Sequence, residues 1–215
     1  MTEQSRMREE ITRFAKSIYD RGLTSGSTGN ISARLSDGTI LMTPTGSSMG
    51  FLDPTQISHL SEDLRLLSGD APTKEIPLHT AFYETRVTTG AVVHLHSTHS
   101  VALSMLPDTD PDNVLPPLTP YAVMKLGKVQ LLPFFMPGDA AMGESVRGLA
   151  GKRSAVLLAN HGPVVAGKDL AAAVYAMEEL EETAKLALIT RGMGAIGLDE
   201  NQVNQVIDRF NIDYD

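Results

Sequence analysis

The chain has 215 residues, a mass of 23.1 kDa and no cysteine, so it has neither disulfide bonds nor thiolate metal ligands. A formal net charge of −8, a pI near 5.2 and the lack of a basic stripe argue against nucleic acid as a partner. No eighteen apolar residues run together and the first residues are polar, so we expect no membrane span, no secretory signal and a cytoplasmic location.

Helices and strands alternate in the first part of the chain. Residues 5–21 place apolar side chains on one helical face, and a loop rich in Gly, Ser and Thr then leads into a strand predicted at Asn30–Leu35. A DG turn joins this strand to a second one, TILMTP. After the small-residue loop TPTGSS, we predict a brief helix that opens at Asp53-Pro54 and a strand in DLRLLSGD.

The remaining elements continue this alternation. A helix is predicted from Ile76 to Arg86, a buried strand in AVVHLH and a short helix in HSVALSML. Residues 107–120 hold five prolines and are predicted to form a loop. The strand KVQLLPFF, the helix GDAAMGESVRGLA and the strand SAVLLAN follow, then a long helix from Asp169 to about Arg191 and the amphipathic helix DENQVNQVIDRF. We expect one α/β domain that spans residues 1–215.

Histidines mark a candidate metal site. His94 and His96 end the apolar run AVVHLH, and residues two apart on a strand point the same way, so both imidazoles can reach one ion. Two buried histidines that bond to backbone carbonyls would give the same pattern. A third histidine, His161, comes directly after the predicted strand SAVLLAN and favours the metal interpretation.

Two ligand sets compete for this metal. His94, His96 and His99 form an H-x-H-x-x-H pattern like that of metallo-β-lactamase-type hydrolases, but that motif needs an aspartate where this chain has Thr98. The other set takes His161 as the third ligand, which leaves an open coordination position as in catalytic zinc sites. Glu75, one residue before a predicted helix, is a candidate fourth ligand or acid–base group.

Five motifs together resemble one known family. GSTGNIS, TPTG, the Lys-Glu pair before a helix that contains His79, VVHLHSTHS and LLANHGPVV occur in the order found in class II aldolases of the L-fuculose-phosphate aldolase and L-ribulose-phosphate epimerase type. The likeness extends over residues 8–191, and the stretch NVLPPLTPYAVMKLGKVQLLPFF is similar to the 3-oxo-tetronate 4-phosphate decarboxylase branch of that family.

The resemblance implies a fold, a metal and an assembly. The fold is a three-layer α/β/α domain with a mainly antiparallel central sheet between helices. A divalent metal, Zn²⁺ before Mn²⁺ or Co²⁺, is held by one glutamate and three histidines that correspond to Glu75, His94, His96 and His161. Members of the family form homotetramers with sites between subunits, so the same assembly is expected.

The implied chemistry is the decarboxylation of a β-keto acid. When 3-oxo-tetronate 4-phosphate loses CO₂, the electron pair left at C2 delocalises onto the C3 oxygen as an enediolate, and a divalent cation stabilises that charge as a Lewis acid. Protonation at C2 then gives dihydroxyacetone phosphate. An aldolase that cleaves a sugar phosphate such as L-fuculose 1-phosphate reaches the same enediolate and is the alternative. A third possibility is a non-catalytic binding module of the adducin type, which should lack the metal ligands.

The resemblance also assigns substrate contacts. The family's phosphate-binding positions correspond to Asn30, Thr45, Gly46, Thr73 and Lys74. Backbone N–H groups of small residues can approach phosphate oxygens closely, and the lysine adds a positive charge beside them. Taken alone, both glycine-rich loops are better explained as ordinary tight turns.

The resemblance and the positions of the remaining residues also suggest their roles. Tyr121 corresponds to a tyrosine that a neighbouring subunit supplies as proton donor, and an interface aromatic is the simpler alternative. Glu75 is expected to act as an acid–base group as well as a ligand. His79 and His99 are assigned to structure or to the orientation of ligands, and His59 to a surface loop. We expect a solvated or subunit-facing helix surface at the acidic run Glu178, Glu179, Glu181 and Glu182.

Overall fold

The computed structural model describes residues 1–212 and 214. Eight strands, seven α-helices and one 3₁₀ turn make up this part of the chain. In chain order they are α1 (Glu3–Asp20), β1 (Asn30–Arg34), β2 (Ile40–Met42), the 3₁₀ turn (Met49–Phe51), β3 (Ser58–Leu60), β4 (Leu66–Ser68), α2 (Ile76–Thr85), β5 (Ala91–His94), α3 (Thr98–Ser104), α4 (Pro120–Leu126), β6 (Gln130–Leu132), α5 (Ala140–Gly148), β7 (Ala155–Leu158), β8 (Gly162–Gly167), α6 (Leu170–Thr190) and α7 (Glu200–Phe210).

All eight strands belong to one sheet, in the order β4-β3-β2-β1-β5-β8-β7-β6. Neighbouring strands are antiparallel except β6 and β7, which are parallel. At the centre of the sheet, His94 at the end of β5 lies opposite Asn30 of β1 and Val164 of β8. The beginnings of β1 and β8 therefore flank the end of β5, and this is where the candidate ligands meet.

Helices cover both faces of the sheet. On one face, α1, α3, α4 and α6 pack against alternate strand residues such as Ile31 and Val93. On the other face, α2 and α5 pack against the intervening residues such as Val92, with Phe82 fully buried between them. Successive side chains of a strand point to opposite faces, so each central strand contributes to both cores. The prediction of a three-layer α/β/α fold with a mainly antiparallel sheet is confirmed.

Three elements escaped prediction. The sequence patterns predict a surface loop around His59 on β3 and predict no element for β8 or α4. The start of α4 carried a recognisable signal, because Thr119 caps the helix by accepting a hydrogen bond from the N–H of Ala122 and Pro120 occupies the first turn.

Two local predictions are wrong. No helix opens at Asp53-Pro54, because the Asp53 carboxylate accepts hydrogen bonds from the backbone N–H and the hydroxyl of Thr55 and closes a turn instead. His59 lies on β3 rather than in a surface loop, half-buried between Gln4 and Thr39. Within the described residues, no helix is both long and apolar enough to cross a bilayer.

Candidate active site

Three imidazoles converge where β5 and β8 meet. The rings of His94, His96 and His161 lie 4.7 to 5.0 Å apart between centroids, and one ring nitrogen from each falls within 4.8 Å of the others. His96 lies two residues after the last residue of β5, and His161 lies in the tight turn between β7 and β8. Asn160 takes a left-handed conformation in that turn, with φ 57°, and the turn delivers His161 to the end of β5.

The histidine nitrogens are prepared to bind a cation. His94 donates from Nδ1 to the carbonyl oxygen of Pro163 at 2.9 Å, so Nε2 is the ring nitrogen that offers a lone pair to a metal. Nε2 of His94 and Nε2 of His161 are buried, and no hydrogen-bond partner for either occurs among the described residues. Burial lowers the pKa of His96 to about 4 and also lowers the pKa of His161, so both rings are neutral near pH 7. Buried unpaired nitrogens of neutral imidazoles match the donor set of a divalent transition metal.

Glu75 supplies the carboxylate of this site. It precedes α2 as the N-cap residue, and its Oε2 lies 3.4 Å from Nε2 of His94 while its Oε1 lies 3.5 Å from Nε2 of His161. Burial alone would raise the pKa of Glu75, but His94, the hydrogen bond from Asn30 and His161 together outweigh it and lower the pKa. The structure therefore brings together all four predicted ligands, with an ionised carboxylate facing three imidazoles.

Asn30 and His79 lie behind Glu75. The Asn30 amide donates from Nδ2 to Oε2 of Glu75 at 2.7 Å, and its Oδ1 accepts a hydrogen bond from Nε2 of His79. His79 is completely buried, and burial lowers its pKa to about 3, with a further lowering from His94 and an opposing effect of Glu75. The side chain of Asn30, predicted to contact phosphate, is engaged with these two residues in this structure.

The other predicted phosphate contacts occupy two loops joined by the backbone. The N–H of Thr45 donates to the carbonyl of Ala71, and the N–H of Thr73 donates to the carbonyl of Thr43. Among the described residues, none accepts a hydrogen bond from the N–H of Gly46 or Lys74. Those two N–H groups, the exposed Thr45 side chain and the exposed Lys74 ammonium remain able to meet an anion beside Glu75.

Tyr121 lies apart from the histidine cluster in the single chain. It occupies the first turn of α4 and is 59% exposed. No hydrogen bond or ring contact among the described residues joins it to His94, His96 or His161. The geometry of one chain thus leaves Tyr121 available to a neighbouring molecule and does not place it in its own site.

The burial of one glutamate in the acidic run contradicts the prediction of a solvated or subunit-facing surface. Glu181 is 7% exposed, and its carboxylate accepts four hydrogen bonds, from the backbone N–H and Nδ1 of His99 and from the N–H and hydroxyl of Ser100. Glu181 therefore caps the N-terminus of α3, which begins two residues after His96. His99 is turned toward Glu181 and lies outside the group of three histidines that could hold a metal. The helical spacing of buried residues on α6 includes position 181 and would have indicated this burial.

The fold and this cluster identify the class of protein. The model of the Class II Aldolase and Adducin N-terminal domain matches residues 9–188, and the chain belongs to that family. The predicted family membership is confirmed.

Particular relatives narrow the comparison. The 3-oxo-tetronate 4-phosphate decarboxylase of Escherichia coli (strain K12) is 52% identical over 187 residues, which cover 87% of this chain and 88% of that protein. The protein of the same name from Cupriavidus necator is 50% identical over 214 residues, 98% of each chain. The crystal structure of YgbL from Escherichia coli superposes with a TM-score of 0.93 at 45% identity and covers 95% of this chain and 99% of that one. The L-fuculose phosphate aldolase of Methanococcus maripaludis (strain DSM 14266) is more distant, at 34% identity over 86% of this chain and 97% of that protein.

Proposed function

We propose that this protein is a metal-dependent carboxy-lyase that converts 3-oxo-tetronate 4-phosphate into dihydroxyacetone phosphate and CO₂. The observation that carries the proposal is the convergence of Glu75, His94, His96 and His161, with buried, unpaired Nε2 atoms on His94 and His161. Relatives that are about half identical over most of the chain bear the name of this decarboxylase, whereas the aldolase relative stands at 34%.

The metal site follows from the donor set. His94, His96 and His161 would hold the cation through neutral nitrogens, and Glu75 would supply one anionic oxygen. We propose Zn²⁺ as the resident ion, because three nitrogens and one carboxylate suit it, with Mn²⁺ and Co²⁺ as alternatives. When bound, the cation supplies Lewis-acid stabilisation of the negative charge that develops at the C3 oxygen as CO₂ leaves.

The residues beside the metal site orient the substrate. The Lys74 ammonium and the N–H groups of Gly46 and Lys74 would hold the dianionic phosphate, together with the hydroxyl groups of Thr45 and Thr73. Lys74 directly precedes Glu75, so a phosphate bound there lies next to the carboxylate that faces the histidines. The binding energy of the phosphate, which does not react, then positions C2 and C3 at the site of chemistry.

Proton transfer completes the reaction. The electron pair left at C2 needs one proton, and a tyrosine is protonated at neutral pH because its ordinary pKa is near 10. We assign this donation to Tyr121 of a neighbouring subunit in a homotetramer, since Tyr121 is exposed on its own chain. Glu75 is ionised and its carboxylate lies beside His94 and His161, so it can receive or return a proton at the hydroxyl of a substrate bound there.

The decisive experiment compares two substrates with the purified, zinc-loaded protein. 3-Oxo-tetronate 4-phosphate, as both C2 epimers, should give dihydroxyacetone phosphate and CO₂ in equal amounts, well above the spontaneous decarboxylation measured without protein. L-Fuculose 1-phosphate should release no aldehyde above background. Aldehyde release without CO₂ production would establish the aldolase instead. A protein that cannot be loaded with zinc and acts on neither substrate would point to a binding module.

A further inference from the structure

A continuous buried row of polar side chains runs away from Glu75 between α2 and β1. We name this row the polar ladder. Its members are Glu75, His79 and Tyr83 from the α2 side and Asn30, Ser32 and Arg34 from β1. The residues are four apart on the helix side and two apart on the strand, which gives steps of about 6 Å and about 6.6 Å along the two elements. Because these steps nearly match, each polar residue on the α2 side lies at the same height as a polar residue of β1 along the length of the two elements.

The hydrogen bonds of the polar ladder run in one direction. The ionised Glu75 only accepts, so the amide of Asn30 must present Nδ2 to Glu75 and Oδ1 to His79. Nε2 of His79 must then carry the proton, and its Nδ1 accepts from the hydroxyl of Ser32 at 2.7 Å. Ser32 in turn accepts from the hydroxyl of Tyr83 at 2.8 Å. Every donor therefore points toward Glu75.

Burial fixes the direction of the hydrogen bonds in the polar ladder. His79 and Ser32 are 0% exposed, and the rest of the row except Arg34 is nearly as buried. Burial also raises the pKa of Tyr83, which keeps its hydroxyl proton in place as the first donor, while the Arg34 guanidinium lies 4.4 Å from the centre of the Tyr83 ring. A buried polar network is stable only when every member is paired, so reversing one bond would leave a group unsatisfied.

We propose that His79 is a positioning residue, which acts through Asn30 to orient the Glu75 carboxylate toward the histidine cluster. Asn30 fixes Oε2, the oxygen that lies 3.4 Å from His94, and the orientation of Asn30 depends on the proton at Nε2 of His79. The inference rests on the proposed role of Glu75 as a metal ligand. It assigns to His79 no contact with substrate.

A pair of matched variants tests this role. His79→Gln keeps an amide nitrogen that can donate to Asn30, whereas His79→Leu has a similar size and no donor. Apoprotein is titrated with Co²⁺ alone, and binding is followed by the visible absorption of the bound ion. We expect His79→Leu to weaken Co²⁺ binding about 10- to 100-fold and to change the spectrum, and His79→Gln to stay close to wild type. Equal affinity and equal spectra for both variants and wild type would overturn the proposal.

Further measurements separate positioning from loss of the fold. Thr80→Val alters a neighbouring buried residue of α2 outside the polar ladder and should bind Co²⁺ like wild type. If His79→Leu does not fold, Ser32→Ala serves in its place: losing the Ser32 hydroxyl should weaken Co²⁺ binding about fivefold, and wild-type affinity would overturn the proposal. In His79→Leu, kcat should fall while KM for the substrate is unchanged.

The outcome does not depend on the substrate assignment. If the wild-type protein binds Co²⁺ and the His79 pair behaves as expected but no CO₂ is released, the decarboxylase assignment fails and the positioning role stands. If the protein is an active decarboxylase and both His79 variants bind Co²⁺ normally, the positioning role is refuted and the decarboxylase assignment stands.

Discussion

The histidine cluster and the phosphate loops lie next to each other, but they are built in different ways. Glu75, His94 and His161 are each less than 10% exposed and are held by α2, β5 and the turn before β8. Thr45, Gly46 and Lys74 are exposed, and within the described part of the chain two backbone hydrogen bonds join their loops. We conclude that one chain preorganises the candidate cation site, whereas the loops of the proposed anion site and the proposed proton donor Tyr121 are exposed on the single chain.

The largest loss of activity should follow from removing one ligand of the buried histidine cluster. His161→Ala removes one neutral nitrogen and should lower kcat/KM for decarboxylation about 10³- to 10⁴-fold, because Lewis-acid stabilisation is worth several kcal/mol. Elemental analysis of the purified variant should show loss of bound zinc.

His59→Ala is the matched control, because His59 lies on β3 and bonds to Gln4 and Thr39 away from the cluster. It should retain zinc and activity. A His161→Ala protein with full zinc content and activity within tenfold of wild type would refute the assigned ligand set.

Replacement of the proton donor should come next in size. Tyr121→Phe removes one hydroxyl from an exposed side chain and should lower kcat about 100-fold, the lower end of the range for a positioned general acid. Zinc content and KM should not change, because no hydrogen bond or ring contact among the residues that the structure describes joins Tyr121 to the histidine cluster of its own chain. Steady-state kinetics of the variant beside Tyr175→Phe, an exposed tyrosine on α6, provide the measurement. Equal kcat for the two variants would remove Tyr121 from the mechanism.

A substitution in the exposed anion site should weaken substrate binding and leave the chemical step unchanged. Lys74→Ala removes a charge-assisted bond to phosphate worth about 1.5–3 kcal/mol, so KM should rise about 10- to 100-fold with little change in kcat. Lys74→Arg should restore most of the affinity. Lys168, exposed at the other end of β8 from His161, offers a control whose alanine variant keeps the wild-type KM. An unchanged KM in Lys74→Ala would place the phosphate elsewhere.

Substitution of Glu181 should have the smallest effect on catalysis and a clear effect on stability. Glu181→Gln leaves one acceptor oxygen where four hydrogen bonds end, which should lower the free energy of unfolding by about 2–3 kcal/mol. The melting temperature should fall by about 5–10 °C. The adjacent, exposed Glu182→Gln should melt like wild type, and calorimetry of the two proteins makes the comparison. Identical melting would show that the cap contributes nothing.

Part of the site was predictable from local spacing alone. The two-residue period of a strand was sufficient to predict that His94 and His96 share one side, and the third histidine stood directly after an apolar run. Glu75 was marked as a candidate by its place one residue before a predicted helix. The structure brings these four together, and their role as ligands remains a prediction.

Other features depended on which elements pack together. Helical spacing marks position 181 among the four glutamates of α6, but only the packing of α6 against α3 decides that the Glu181 carboxylate caps α3. His79 could be assigned only a general supporting role, because the pairing of its neighbours on α2 with alternate residues of β1 is not visible in either segment alone. No strand is predicted at β8, because its short apolar run, PVVA, follows His161-Gly162 directly after another predicted strand.

The sequence by itself determined the fold class, the family and the candidate ligands, because these follow from periodicity and from motifs that occur in order along the chain. Only the tertiary structure decided which histidine completes the cluster, which glutamate is a cap and which direction the hydrogen bonds behind Glu75 take. The physical reason is that burial and partner choice depend on contacts between residues far apart in sequence. A side chain's chemistry is known before folding, but its surroundings are not.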